Sequence, residues 1–366
     1  MNQVNATYVD VNRIFISSVL ERLAIKQDLD AELMTQAMLQ IMAGEWQGEQ
    51  IAAFLMGLRA KGETVIELTS AAQVMRKLAT PIHVSHPHLV DVCGTGGDSS
   101  QTFNISTAVG FVVAAAGGAV AKHGNRSVSS RSGAADVLEA ADIFLDLTAT
   151  QVATCIENFG FGFIFAPAHH NAMRRAMPAR KSIGIRTMFN LLGPLTNPAQ
   201  VQYQLLGVFG ESWIEPLAEV LQALGVQRAI VVNGAEGLDE FSIAGVSNYA
   251  VLNAGKITRH TATPEDFGLT TASLAPLKVA SPQESFAMIQ RIFKKAPDQV
   301  VDPARDIVAL NAGAALFVAG CVSSIEQGVE LAQDMMANGL AAERLNLYKH
   351  ATNIYRQENS ANTNSL

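Results

Sequence analysis

The residues with the clearest chemical potential lie in one segment, 91–131, which reads DVCGTGGDSSQTFNISTAVGFVVAAAGGAVAKHGNRSVSSR. The backbone N–H groups of its GTGGD turn, which begins at Gly94, can converge on an anion because glycine places no side chain in the way. Polar side chains mark the predicted start of the next helix, where negative charge is favoured: Asn104, Ser106 and Thr107. A second group of donors follows: Lys122, Asn125, Arg126, Ser127, Ser129 and Ser130. This combination predicts a site for a highly phosphorylated small molecule.

The glycine turn by itself leaves two interpretations open. GTGGD has neither the lysine of a P-loop nor the GxGxxG spacing of a dinucleotide site. It is either a tight turn between a strand and a helix or one wall of a phosphate site, and only the donors that follow it favour the second reading.

Adjacent carboxylates occur at Asp239 and Glu240, after the turn NGAEG. Such a pair can be a solvated acidic turn, or it can bind a hard cation such as Mg²⁺ that bridges to phosphate oxygens. Neighbouring side chains in an extended segment point in opposite directions, so the two carboxylates need not share one ligand.

The segment 172–195 is unusually basic, and Arg180 within it can bind a carboxylate in a bidentate way or be an ordinary surface charge. His169 and His170 are adjacent and have no third ligand at suitable spacing, which argues against zinc. His123 either lies near an aromatic substrate or is a structural histidine.

Four motifs together resemble the anthranilate phosphoribosyltransferase family. They are the segment 91–131, FAPAHHNAMRRAMPARKSIGIRT from Phe165, FNLLGPLTNP from Phe189 and GLDEFS from Gly237. The resemblance implies transfer of a phosphoribosyl group from phosphoribosyl pyrophosphate (PRPP) to anthranilate, with a pair of Mg²⁺ ions per monomer. It also implies a homodimer formed through a helical domain.

The same resemblance assigns roles to residues. It places PRPP against Gly94, Gly97, Asp98, Thr102, Asn104, Ile105, Ser106, Thr107, Lys122, His123, Gly124, Asn125, Arg126, Ser127, Val128, Ser129, Ser130 and Ala134. It places anthranilate against Gly94, His123, Asn125 and Arg180, and the metal on Ser106, Asp239 and Glu240. Lys122, Asn125 and Arg180 are the residues expected to act in catalysis.

Departures from the family pattern are small. Ala134 stands where a serine is common, LEAAD replaces LEALG from Leu138, and Asn233 stands where a histidine is common. Two other functions stay open: a pyrimidine nucleoside phosphorylase, which shares the architecture, and an inactive homologue that binds nucleic acid. The KHGNR and GLDE motifs favour the transferase over the phosphorylase. The intact Asp239 and Glu240 and the acidic chain argue against the inactive homologue.

The composition limits the partners. The chain has 366 residues, of which 49% are hydrophobic and 16% charged, and its net charge is -7. An acidic chain is unsuited to general nucleic-acid binding. Cys93, Cys155 and Cys321 are too scattered for a disulfide framework or a cysteine zinc site, which favours the reducing cytoplasm. No signal peptide is visible, and the apolar stretch 105–121 is predicted to be a buried helix and strand rather than a membrane span.

The order of the predicted elements gives an α/β fold in two domains. Amphipathic helices, with N-caps at Asp30 and Thr64, predict a small helical domain over 1–82. The family resemblance implies that helices from 172–200 complete this domain. Residues 83–171 and 201–358 alternate between strands and helices, which predicts a larger α/β domain with a mostly parallel central sheet flanked by helices. Helices are expected from Pro282, Asp306 and Ser324. Residues 359–366 are predicted to be a disordered tail.

Overall fold

The structure is a computed structural model that describes residues 2–96, 100–127, 132–294 and 302–363. The chain divides into two compact units, one of Met1–Ala79 with His170–Thr196 and one of Thr80–His169 with Asn197–Leu366. The first unit is helical and the second contains the sheet. The fold class predicted from the sequence is confirmed, and the borders of the units lie a few residues from residues 82, 172 and 200.

The helices and strands have the following bounds. The helices are α1 (Asn2–Ala24), α2 (Ala31–Ala43), α3 (Gly48–Lys61), α4 (Val65–Leu78), α5 (Ile105–Ala115), α6 (Ala134–Ala140), α7 (Ala149–Phe159), α8 (Ala166–His169), α9 (Met177–Ile183), α10 (Met188–Leu195), α11 (Ile214–Ala223), α12 (Pro282–Ile292), α13 (Pro303–Ala319), α14 (Ile325–Ala337) and α15 (Leu340–Thr363). The strands are β1 (Leu89–Gly94), β2 (Ala119–Gly124), β3 (Phe161–Phe165), β4 (Tyr203–Gly207), β5 (Arg228–Gly234), β6 (Ser247–Asn253) and β7 (Lys256–Ala262). Short 3-10 helices occur at Asn171–Arg175, Glu211–Trp213, Pro264–Phe267 and Ala275–Leu277.

Side-chain caps determine where two helices of the first unit begin. Asp30 accepts a hydrogen bond from the backbone N–H of Leu33 at 2.9 Å, before α2. Thr64 and Glu67 form a reciprocal capping box before α4. Both N-caps predicted from the sequence are confirmed, because each side chain satisfies an N–H that the helix itself leaves without a partner.

Glu67 also joins three segments of the helical unit. Its side chain is 1% exposed, and it accepts hydrogen bonds from Lys61 Nζ at 3.0 Å and from the backbone N–H of Leu29 at 2.9 Å. A buried carboxylate is tolerated only when its charge is paired and hydrogen-bonded. Glu67 therefore stabilises the packing of α3, α4 and the connection before α2.

The sheet of the second unit has, within the described residues, seven strands in the order β3-β2-β1-β4-β5-β6-β7. The pairs from β3 to β5 are parallel, and β6 and β7 are antiparallel to their neighbours. The strand β7 was not predicted from the sequence. It is a mostly exposed edge strand, so its sequence KITRHTA lacks the apolar alternation that a half-buried strand shows.

The strand order reverses between β1 and β4, which is where open α/β sheets form a crevice. The strand that follows β1 in the chain, β2, lies on one side of the β1–β4 pair, and the strand that follows β4, β5, lies on the opposite side of that pair within the sheet. Ligands of open α/β sheets bind at the carboxyl ends of strands where the strand order reverses in this way. Gly94 and Gly207 are paired in register at this edge.

Two other predicted segments agree with the structure, one of them with a shifted start. The stretch 105–121 forms α5 and then β2, as predicted, and no helix of the described residues is long and apolar enough to span a membrane. The helix expected from Asp306 begins at Pro303, because Asp302 caps it and proline is favoured in the first turn.

The disordered tail predicted from residue 359 is wrong for 359–363, which continue α15. Asn359 accepts a hydrogen bond from Gln151 Nε2 at 3.1 Å and donates one to the carbonyl of Asp146 at 3.3 Å. These contacts hold the end of α15 against the rest of the α/β unit. Residues 364–366 lie outside the described part of the chain.

Candidate active site

Asp239 lies at the crevice between the carboxyl ends of β1 and β4. Its carboxylate oxygen Oδ2 accepts a hydrogen bond from the backbone N–H of Gly96 at 2.8 Å. A Cβ atom at Gly94 would overlap this oxygen, and a Cβ atom at Gly207 would overlap the carbonyl of Asp239. The strand β4 must therefore end in glycine, because the Asp239 backbone packs directly on it, whereas a side chain at Gly94 would displace the Asp239 carboxylate. Gly94 was predicted to contact substrates, and its packing against Asp239 was not predicted from the sequence.

Lys122 is buried in β2 beneath the first turn of α5. Its side chain is 2% exposed, and its ammonium group donates hydrogen bonds to the carbonyl of Val92 at 2.7 Å and to Ser106 Oγ at 2.9 Å. Two of the three ammonium donors are thus used inside the protein. The structure brings the predicted lysine and the predicted serine ligand into direct contact.

The charges around Lys122 are mainly negative. Burial lowers the pKa of the Lys122 ammonium, while Asp91, Glu240 and Asp239 act in the opposite direction. The side chain of Glu240 is itself largely buried. All three carboxylates therefore favour the charged form of the Lys122 ammonium.

Asp91 also belongs to this cluster, although no role for it was predicted from the sequence. It lies in the middle of β1, is fully buried, and its Oδ1 accepts the backbone N–H of His123 at 3.2 Å. Burial raises the pKa of this carboxyl to about 6, against the opposing effects of Asn197 and Lys122. A charged residue inside the apolar run LVDVC was the available signal, because a buried strand contains an acid only when a partner is near.

The first turn of α5 faces the same end of the sheet. Asn104 is its N-cap and accepts hydrogen bonds from the backbone N–H of Thr107 at 3.1 Å and from the Thr107 hydroxyl at 2.5 Å. The N–H groups of Ile105 and Ser106 belong to the first turn, where a helix supplies no acceptor. Ile105 has its side chain in the core, so only its backbone can contact a ligand. Thr102 precedes this turn and shares a hydrogen bond with Ser100 at 3.0 Å.

The loop after β2 folds back on α6. Asn125 is exposed and accepts the backbone N–H of Arg126 at 2.7 Å, and the N–H of Ser127 donates to Asp136 at 2.9 Å. The guanidinium of Arg126 lies 4.7 Å from the centre of the Phe165 ring and donates to Glu139 at 2.5 Å.

The remaining predicted residues of this loop are placed as follows. His123 is buried, Gly124 packs against the ring of Phe163, and Ala134 begins α6. Gly97, Asp98, Val128, Ser129 and Ser130 lie outside the described residues.

Arg180 belongs to the helical unit, on α9. Its guanidinium lies 5.1 Å from the centre of the Phe189 ring, and its Nη1 contacts Met177 Sδ at 3.8 Å. Burial lowers the pKa of this guanidinium. No carboxylate of the described chain forms an ion pair with the Arg180 guanidinium. A guanidinium that is to bind the carboxylate of a ligand requires this arrangement.

The carboxylate pair and the serine fit a hard divalent cation. Among the described residues there is no group of three or more histidine, cysteine or acidic side chains that would hold an ion by itself. Mg²⁺ typically needs only one or two protein carboxylates, because water and ligand phosphates complete its octahedron. The Ser106 hydroxyl oxygen has two lone pairs. One accepts the hydrogen bond from Lys122 Nζ, so the other can bind the cation.

Comparison with known proteins identifies relatives of both units. The glycosyl transferase family a/b domain matches residues 86–342, and the helical bundle domain of the same family matches residues 17–79. An anthranilate phosphoribosyltransferase of Hahella chejuensis is 53% identical over 343 residues, which are 94% of this chain and 99% of the relative. One from Methylococcus capsulatus is 52% identical over 330 residues, 90% of this chain and 96% of the relative.

Solved structures show the same fold. An anthranilate phosphoribosyltransferase of Thermus thermophilus superposes with a TM-score of 0.85 at 40% identity, covering 92% of this chain and 99% of that chain. A Saccharomyces cerevisiae anthranilate phosphoribosyltransferase in complex with PRPP and Mg superposes with a TM-score of 0.83 at 24% identity, covering 92% and 98%.

Proposed function

This chain belongs to the anthranilate phosphoribosyltransferase family, and on that premise we propose that it transfers the 5-phosphoribosyl group of PRPP to the amine of anthranilate. The products are N-(5-phosphoribosyl)anthranilate and pyrophosphate, in L-tryptophan biosynthesis. The family matches confirm the resemblance that the four sequence motifs indicated. The observation that carries the proposal is the crevice between β1 and β4, where Asp239, the Lys122–Ser106 pair and the start of α5 converge.

The phosphates of PRPP bind at the first turn of α5 in this proposal. The backbone N–H groups of Ile105 and Ser106 and the partial positive charge of the helix end provide the attraction. Asn104 and Thr107 fix the turn through their mutual hydrogen bonds rather than by direct contact. Lys122 stabilises the developing charge of the pyrophosphate mainly through its field, because its ammonium is buried and bonded to Ser106.

Asp239, Glu240 and Ser106 are the residues that would hold Mg²⁺, as a pair of ions. The bound metal would neutralise the oxygens of the departing pyrophosphate. Bound Mg²⁺ would neutralise the charges of Asp239 and Glu240. In this arrangement the buried Asp91 would still compensate the positive charge of Lys122.

Anthranilate binds through its carboxylate to Arg180. A guanidinium that is stacked on Phe189 is held in one plane, which suits a bidentate pair with a carboxylate. Asn125, His123 and Gly94 are proposed as further residues that contact anthranilate. The amine of anthranilate is then directed at the anomeric carbon of the sugar.

The chemistry depends on the leaving group rather than on a strong nucleophile. The lone pair of an aromatic amine is delocalised into its ring, and removal of an amine proton before attack is very unfavourable. Catalysis therefore acts by holding the amine close to the anomeric carbon while the bond to pyrophosphate loosens. The expected outcome is inversion at that carbon without a covalent enzyme intermediate.

A homodimer through the helical unit, in the cytoplasm, is part of the proposal. Large apolar side chains of the helical unit are exposed in the single chain: Ile14, Ile25, Leu39, Met56, Ile66 and Leu78. Contact with a second copy would remove these side chains from water.

The test of the function follows anthranilate fluorescence with purified protein, PRPP and Mg²⁺, with and without EDTA. We expect a loss of fluorescence that needs all components and is abolished by EDTA. A folded protein that leaves the fluorescence unchanged would refute the transferase assignment. Phosphorolysis of thymidine or uridine by the same sample would then support the phosphorylase alternative.

A further inference from the structure

Two buried asparagine side chains hold the four-residue span Leu238–Phe241, which contains the acidic pair. Asn233 lies near the end of β5, and Asn311 lies in the middle of α13. The span itself has neither helix nor strand structure, so its backbone groups need partners from elsewhere. The two asparagines supply some of these partners from opposite ends of the span, and the N–H of Gly234 also donates to the carbonyl of Leu238 at 2.9 Å.

Asn311 binds the backbone of the residue that follows Glu240. Its Oδ1 accepts the N–H of Phe241 at 2.9 Å, and its Nδ2 donates to the carbonyl of Phe241 at 2.9 Å and to the carbonyl of Ile307 at 2.9 Å. The side chain is fully buried in an otherwise apolar part of α13. An amide in such a place is favourable only because each of its polar atoms is bonded.

Asn233 binds the residue that precedes Asp239. Its Nδ2 donates to the carbonyl of Leu238 at 3.3 Å and to the carbonyl of Val208 at 2.7 Å. Val208 follows Gly207, the strand end against which the Asp239 carbonyl packs. Asn233 therefore connects the acidic span to the end of β4 at the point where the crevice opens.

We propose that Asn233 and Asn311 are positioning residues for Asp239 and Glu240, which they hold in the orientation that binds the divalent cation of the transfer reaction. This inference rests on the proposed function. The hydrogen bonds fix the peptide on both sides of the two carboxylates, and neither asparagine is a ligand itself. Partners behind a metal ligand commonly change metal affinity by about 10- to 100-fold when they are removed.

The first experiment measures Mn²⁺ binding in the presence of PRPP and without anthranilate, from the electron paramagnetic resonance signal of free Mn²⁺. We expect Asn233→Ala to weaken Mn²⁺ binding by about tenfold, with a larger loss for Asn311→Leu. Asn233→His keeps a ring N–H donor and should retain affinity within about threefold of the wild type. The matched control is Tyr348→Phe, which removes another buried acceptor, that of the Phe163 N–H, far from the acidic span.

The second experiment measures the Mg²⁺ concentration that gives half-maximal rate and the anthranilate KM at saturating Mg²⁺. We expect the first value to rise in parallel with the loss of Mn²⁺ affinity and the second to stay unchanged. Unchanged Mn²⁺ affinity in folded Asn233→Ala and Asn311→Leu overturns the proposal, as does unfolding of both variants by circular dichroism, which would assign the amides to stability alone. An inactive wild type that binds Mn²⁺ would instead contradict the proposed function.

Discussion

The substitution Gly207→Ala tests how closely Asp239 must approach the sheet. The new Cβ would lie at less than half the ordinary C···O contact distance of about 3.3 Å from the Asp239 carbonyl, so that oxygen must move by more than about 1 Å. The displacement is transmitted to the carboxylate of the same residue. A misplacement of about 1 Å at a reacting centre commonly reduces the rate by about 100-fold, equivalent to about 2.7 kcal/mol.

We therefore expect Gly207→Ala to lower kcat/KM for PRPP by about 100-fold and the free energy of unfolding by about 1 to 3 kcal/mol. The control is Gly210→Ala in the same loop, where a Cβ atom has no neighbour within 4 Å and φ is -163°. The assay compares steady-state kinetics and urea unfolding of both variants. If Gly207→Ala is as active as Gly210→Ala, the close packing of Asp239 on the strand end is not needed for catalysis.

Three further predictions follow from individual side chains. Arg180→Lys, which keeps the charge but loses bidentate geometry, should raise the anthranilate KM about tenfold and leave the PRPP KM unchanged; equal effects on both would refute the assignment of Arg180 to anthranilate. The pKa of Asp91 is raised from 3.8 to about 6 in the folded protein. The protonated carboxyl therefore favours the folded state at low pH, and this contribution to stability is lost as the carboxyl ionises with rising pH. As the pH rises from about 4 to about 7, the free energy of unfolding of Asp91→Asn should therefore increase by up to about 3 kcal/mol relative to that of the wild type. A difference in urea unfolding that does not change with pH would contradict this. Glu67→Ala should lower the free energy of unfolding by about 3 kcal/mol with both KM values unchanged, and an unaltered urea midpoint would rule out its structural role.

Local physics allowed much of the fold to be predicted from the sequence. Asp30 and Thr64 could be identified as caps because the groups that they satisfy lie three residues away. The parallel sheet followed from the alternation of apolar strands and amphipathic helices. The strand β7 and the end of α15 were missed, because one is a polar edge strand and the other is held by contacts with residues more than 200 positions earlier.

The residue types of the candidate site and, through the motifs, the family were evident before the fold was known. The assignment of individual site residues stays a prediction. The hydrogen bond between Gly96 and Asp239, 143 positions apart, and the two strand-end glycines that make room for that aspartate are evident only in the folded chain. It also revealed Asp91 beside Lys122 and the asparagines on either side of the acidic pair. The reason is physical: burial and long-range contacts depend on strand order, and no local pattern of residues specifies which distant backbone groups a buried side chain will meet.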